Sequence, residues 1–159
     1  FNSTVMAKET IHYYSVLTAA PVPYAIPWHQ LTSASRILMS LIFVALYQLT
    51  ARENKQYPYP YLNRNAYEHI RSRLPFDLNT STNDGVSPTK SQVYGEILDV
   101  VVSDHWDIIG QYHKAGGRTH TDWMPSGSGF DDQRFYQVWE HMVDKIVENN
   151  IDPVSMGNH

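Results

Sequence analysis

Residues 33–55 read SASRILMSLIFVALYQLTARENK, and from Ile37 to Tyr47 every position except Ser40 is apolar. A helix that is apolar on all sides is expected to be buried on all sides, so this stretch predicts a central helix inside a core. A membrane span needs roughly 18 or more consecutive apolar residues. Here Arg36 and Arg52 bracket a shorter run that still contains Ser40, Gln48 and Thr50. Thr32, Ser33 or Ser35 can cap the start of the helix, and Arg52-Glu53-Asn54-Lys55 returns it to water.

Upstream, residues 3–20 place Val5, Ile11, Tyr14 and Leu17 near helical spacing. Their Thr, Tyr and Val content also suits a strand, and the spacing is taken as helix. Pro21, Pro23 and Pro27 then hold the chain extended, a strap expected to lie on the central helix. Downstream, Tyr57-Pro-Tyr-Pro-Tyr61 alternates ring and proline in a polyproline-like connector. Asn63 or Asn65 opens the next helix, with Asn65 and Glu68 at capping-box spacing. Leu62, Ala66, Ile70 and Leu74 form its inner face, and Pro75 ends it.

Residues 76–90, FDLNTSTNDGVSPTK, hold turn residues without a periodic apolar pattern and predict an exposed loop. Ser87-Pro88 is a helix start, because proline at the first helical position lacks only a donor that would be unpaired there. Val93, Ile97, Val101, His105 and Ile109 form one row of that helix, Gly116-Gly117 ends it, and Ser103-Asp104 is a candidate break. A glycine-rich loop over 116–129 leads to a last helix capped by Asp131, with Phe135, Val138, Trp139, Met142, Val143, Ile146 and Val147 at amphipathic spacing. The expected fold is therefore mainly α: a single domain over 1–159 of four to six helices around a buried central helix, with Pro-rich straps and two long loops.

Composition narrows the chemistry. The chain has no Cys, which excludes thiolate nucleophiles, disulfides and Cys-based zinc sites. Charged residues are 18% of the 159 positions and aromatic residues 13%, with eleven Tyr. Fewer charges than the roughly 25% usual in soluble domains favour a protein that packs against partners. Positive charge gathers in 52–73 and negative charge in 131–152, so one end can face the other on a neighbouring copy. The chain opens on Phe1 without a basic start and apolar run, so no signal peptide is expected, and both ends read as cut from a longer polypeptide.

Asp104, His105, Asp107, His113, His120 and Asp122 gather imidazoles and carboxylates of the kind that bind Zn, Fe or Mn. No His-x-x-x-His or Glu-x-x-His among them puts two ligands on one helical face, so no metal, cofactor or catalytic residue is expected. Ser126-Gly127-Ser128-Gly129 lacks the Lys-Ser or Lys-Thr of a phosphate loop, and no Gly-x-Ser-x-Gly nucleophile motif occurs. Arg64, Arg71 and Arg73 with Tyr57, Tyr59 and Tyr61 mix cations and stacking rings, the candidate contact for nucleic acid or a subunit.

These features lead to a structural, self-associating protein that is not an enzyme: a segment of a shell or coat subunit of viral capsid type. Its expected partners are copies of itself and nucleic acid, in a virion or the cytoplasm. Two alternatives stand beside it. One is a metal-dependent hydrolase or oxygenase using His105, His113, His120 and Asp122, and the other is an adaptor that binds protein through the Tyr-Pro ribbon.

Overall fold

The computed structural model describes residues 8, 11–23, 33–52, 58–112, 114 and 122–151. Strand Tyr14–Ala19 (β1) pairs in parallel with strand Glu96–Val102 (β2), from Tyr14↔Glu96 to Ala19↔Val102, with an irregularity between Ser15 and Val16. Between them in sequence lie helices Ala34–Thr50 (α1) and Arg64–Arg73 (α2), and helix Asp132–Ile151 (α3) follows β2. The mainly α expectation is thus overturned: the described residues hold three α-helices and a two-stranded parallel sheet.

The sheet has a core on each face. Leu17, Ala19 and Val100 pack with Ile70 of α2, with Leu74 just past its end and with Leu78. Val101 packs on the other side with Tyr112, Phe130 and Val138 of α3, joined by Val16. Strands covered on both faces need apolar side chains at successive positions, so Ile97-Leu98 and Val100-Val101-Val102 show no clean alternation. That is why 14–19 and 96–102, expected to be helical, are strands: β-branched residues suit the pleat, and two covered faces mask its period of two. Gly95 enters β2 at φ +73, where a Cβ would run into the Tyr13 carbonyl.

Three helix starts agree with the sequence. Ser33 accepts from the Arg36 N–H at α1, Asn63 from Ala66 at α2, and Asp131 from Arg134 at α3. The burial of α1 does not agree. Only Ser40, Phe43 and Tyr47 are buried, while Leu38 is 55% and Leu41 61% exposed, so α1 lies on the surface with a narrow inner stripe. That stripe packs with Ala20 and Met124, flanked by Val22, Leu46 and Trp106. Val22 belongs to the proline strap, and the strap's residues 24–27 lie outside the described residues. Among the described residues no helix is long and apolar enough to cross a membrane.

The 76–90 segment reverses its expectation too. Pro88 precedes a short 3-10 turn, Thr89–Gln92, and strand β2 follows where the helix was expected. Thr82, Asn83, Asp84 and Thr89 are fully or almost fully buried, making this loop the polar centre of the molecule.

Candidate functional site

Parallel strands leave a sheet at the same edge, and ligands of open α/β sheets bind outside the carboxyl ends of the strands. Here that edge gathers two loops. Ala20, just past β1, donates its N–H to Asn83 O at 2.9 Å, and Ser103, just past β2, donates to Ala19 O at 3.1 Å. His105 then donates its backbone N–H to Asp84 O at 3.0 Å. Backbone bonds alone thus bring the 83–84 turn beside the 103–105 turn.

The Asn83-Asp84-Gly85 turn is built locally. Asn83 Oδ1 accepts the Gly85 N–H at 2.8 Å, and its Nδ2 donates to Ser81 O and Tyr47 O. Gly85 has φ +95, and a Cβ there would lie 2.7 Å from the Phe43 ring. Glycine serves both the left-handed backbone and the close approach of α1.

Asp84 receives donors on both oxygens. Oδ1 accepts the N–H groups of Val86 at 2.9 Å and Ser87 at 2.7 Å. Oδ2 accepts the Thr18 hydroxyl at 2.7 Å and the Gln92 amide at 3.3 Å, and stands 3.0 Å from His105 Nδ1. The Asp84 side chain is 1% exposed and that of His105 is 43% exposed. A carboxylate surrounded by donors accepts from Nδ1–H, which leaves Nε2 as the acceptor nitrogen of the ring. Among the described residues Nε2 has no hydrogen-bond partner.

A second pair of carboxylates shapes the turn that carries His105. Asp104 Oδ1 accepts the N–H groups of Trp106 at 2.8 Å and Asp107 at 3.0 Å. Asp107 Oδ2 accepts the Asp104 N–H at 3.0 Å and the Ser128 hydroxyl at 2.7 Å. Burial pushes the Asp104 carboxyl up to about 6. Burial, and then the neighbouring charge of Asp104, pushes Asp107 up to about 9. Two buried carboxylates this close do not both ionise readily, so the turn retains a proton. The Trp106 ring meets the His105 ring edge-on at 5.9 Å.

The residues singled out from the sequence fall in different places. Asp104, His105 and Asp107 do come together, as a hydrogen-bonded turn in which no group of three or more His, Asp or Glu among the described residues is placed to hold a metal. Asp122 pairs with Arg36 of α1 at 3.1 Å. His113 and His120 lie outside the described residues, as does Tyr57. Arg64, Arg71 and Arg73 are exposed on α2, with Arg71 3.8 Å from Glu68. Tyr59 is half-buried and Tyr61 is 93% exposed, beside a groove of about 420 Å³ that includes Asn63, His69 and Ile97 but none of the three arginines. In the sequence Asp84 lies unmarked in a turn-rich stretch, and His105 falls on an apolar row of helical spacing. The available signal was Asn-Asp-Gly, a turn tripeptide, lying between two stretches that also suit strands.

Comparison with family models, with curated proteins and with solved structures finds no match for the chain.

Proposed function

We propose that Asp84 and His105 are the acid and the base of a hydrolytic site that works by acyl transfer. The observation that carries this is the 3.0 Å contact between a fully buried, donor-saturated carboxylate and Nδ1 of a half-exposed imidazole. A buried Asp in that position fixes the ring and its tautomer and stabilises the imidazolium that forms during turnover. The placement adds support by analogy of fold. Hydrolases on parallel α/β sheets carry the acid before the histidine in sequence, on loops at the strands' carboxyl ends.

In this reading His105 Nε2 takes the proton of a hydroxyl, from a serine or a water, as that oxygen attacks an ester carbonyl. The imidazolium then returns the proton to the departing alkoxide. Among the described residues no hydroxyl is hydrogen-bonded to His105 Nε2. The test is ester hydrolysis by the full-length reading frame, using p-nitrophenyl esters of graded chain length. His105→Ala should abolish turnover, and Asp84→Asn should lower kcat by roughly 10⁴-fold, the loss expected when the histidine takes the wrong tautomer. Hydrolysis that is absent in the parent, or unchanged in both variants, would remove the proposal.

A second reading, self-association as a shell or coat subunit in a virion or the cytoplasm, has its own support. Tyr136, Trp139, Val143, Ile146 and Val147 leave an exposed apolar stripe along α3, and exposed stripes of this kind mark protein contacts. Arg64, Arg71 and Arg73 would then face a neighbour or nucleic acid. Light scattering across concentration and salt tests it: a monomer throughout would remove it.

A further inference from the structure

We infer that Thr18 and Gln92 are positioning residues for the Asp84–His105 pair, an inference that rests on the hydrolytic reading of that pair. Thr18 lies near the carboxyl end of β1. Its own backbone is held by side chains of the 89–92 turn: the N–H donates to Gln92 Oε1 at 2.6 Å, and the carbonyl accepts the Thr89 hydroxyl at 2.8 Å and Gln92 Nε2 at 3.1 Å. Gln92 thus serves Thr18 as a neighbouring strand would. Its Nε2 is also within reach of Ser87 O at 3.2 Å and of Asp84 Oδ2 at 3.3 Å.

The Thr18 hydroxyl has a single proton to give. It stands 2.7 Å from Asp84 Oδ2 and 3.1 Å from Gln92 Oε1, so the carboxylate is both the nearer and the charged acceptor. The hydroxyl therefore serves the carboxylate. The Thr18 hydroxyl is the near donor to Oδ2, and the Gln92 amide, whose two protons are shared among Thr18 O, Ser87 O and Oδ2, is the longer one. Together they bias the direction in which that oxygen meets His105. Oδ1, anchored by the Val86 and Ser87 N–H groups, gives the carboxylate a fixed end but leaves the swing of Oδ2 to Thr18 and Gln92. Neither side chain touches a substrate; both act through Asp84.

The alternative role for the same contacts is to prop the edge of β1, and the experiment separates the two. Thr18→Val keeps the shape and removes the donor, Thr18→Ser restores the donor, and Gln92→Leu removes the amide. The first readout is the His105 Nδ1–H proton in NMR spectra of the full chain, which resonates far downfield while it is bonded to a carboxylate. The second is kcat against KM for ester hydrolysis in the full-length reading frame. Thr18→Val and Gln92→Leu should move that resonance upfield and speed its exchange. Both should lower kcat about tenfold to a hundredfold, the range contributed by groups that orient a ligand histidine, with KM unchanged. Thr18→Ser should restore both. A parent chain without the downfield proton would overturn the hydrolytic reading itself. A parent that shows it, with variants that keep it and keep kcat, would overturn only the positioning role. Variants that merely melt at lower temperature, or that both fail to fold, would make the pair a prop and overturn it equally.

Discussion

Helix α1 and the 82–92 loop divide the interior in the opposite way to their polarity. The loop buries Asn83 completely and Asp84 to 1% exposure, while α1 leaves Leu38, Leu41 and Leu49 more than half exposed. What separates them is satisfaction of polar groups. Asn83 uses both ends of its amide, and Asp84 has donors on both oxygens, so their burial avoids most of the cost of losing water. For α1, by contrast, one stripe of Ser40, Phe43 and Tyr47 meets the rest of the molecule, and the remaining apolar residues have nothing described to pack on. The two regions meet where Thr50 donates to Gly85 O and Phe43 lies against Gly85.

The sharpest way to break this comparison is Phe43→Asp. An unpaired carboxylate at a fully buried position costs several kcal/mol, comparable with the ~5–15 kcal/mol that stabilises a whole domain. No cooperative thermal transition should remain, and a melt near the parent's would mean that α1 and the loop share no core. Asn83→Ala comes next. It leaves the buried Gly85 N–H without its side-chain partner, and a buried orphan costs about 1–3 kcal/mol, while the Tyr47 carbonyl keeps the Ala51 N–H. The midpoint in urea should fall clearly, with the slope unchanged.

Asp104 and Asp107 sharpen the comparison at the point where donors run short. Their folded-state values, raised to about 6 and about 9, lie above the ~3.9 of an unfolded aspartate. The folded chain therefore binds these protons more tightly than the unfolded chain. Their stabilising contribution is complete below about pH 4 and declines as the pH rises through each raised value. Asp107→Asn should raise the melting temperature at pH 8 and flatten its decline from neutral to alkaline pH. A variant that melts lower at pH 8 than the parent would show that the carboxylate is needed ionised. The smallest effect belongs to Leu41→Glu. An exposed substitution of this kind stays within about 0.5 kcal/mol, so the melting temperature should hold. A large drop would mean that the outer face of α1 is covered in solution.

Local features were legible at three helix starts, while the start read at Ser87-Pro88 opens only a 3-10 turn. Ser33, Asn63 and Asp131 cap their helices because a short polar side chain there meets N–H groups that no turn of the helix satisfies. Ile70 and Leu74 face the core as their spacing predicts. The strands were not legible, because a strand buried on both faces presents apolar side chains at successive positions and imitates a helix face over a short run. Of the site, His105 was named among the candidates and Asp84 was not. Nothing in 76–90 marks one turn aspartate as buried until β1 lies beside β2.

The sequence by itself narrowed the starts of α1 and α2 to within two residues and put that of α3 at Asp131, and it determined the absence of thiol chemistry and the lack of a span through a membrane in α1. Those properties depend on residue type and on neighbours within a turn or two. Tertiary structure alone decided that the polar loop is core, that α1 is surface, and that Asp84 meets His105. Each of these follows from the pairing of β1 with β2, two segments held apart in sequence by α1 and α2. That pairing is set by the apolar side chains of both faces together and not by any one segment's pattern.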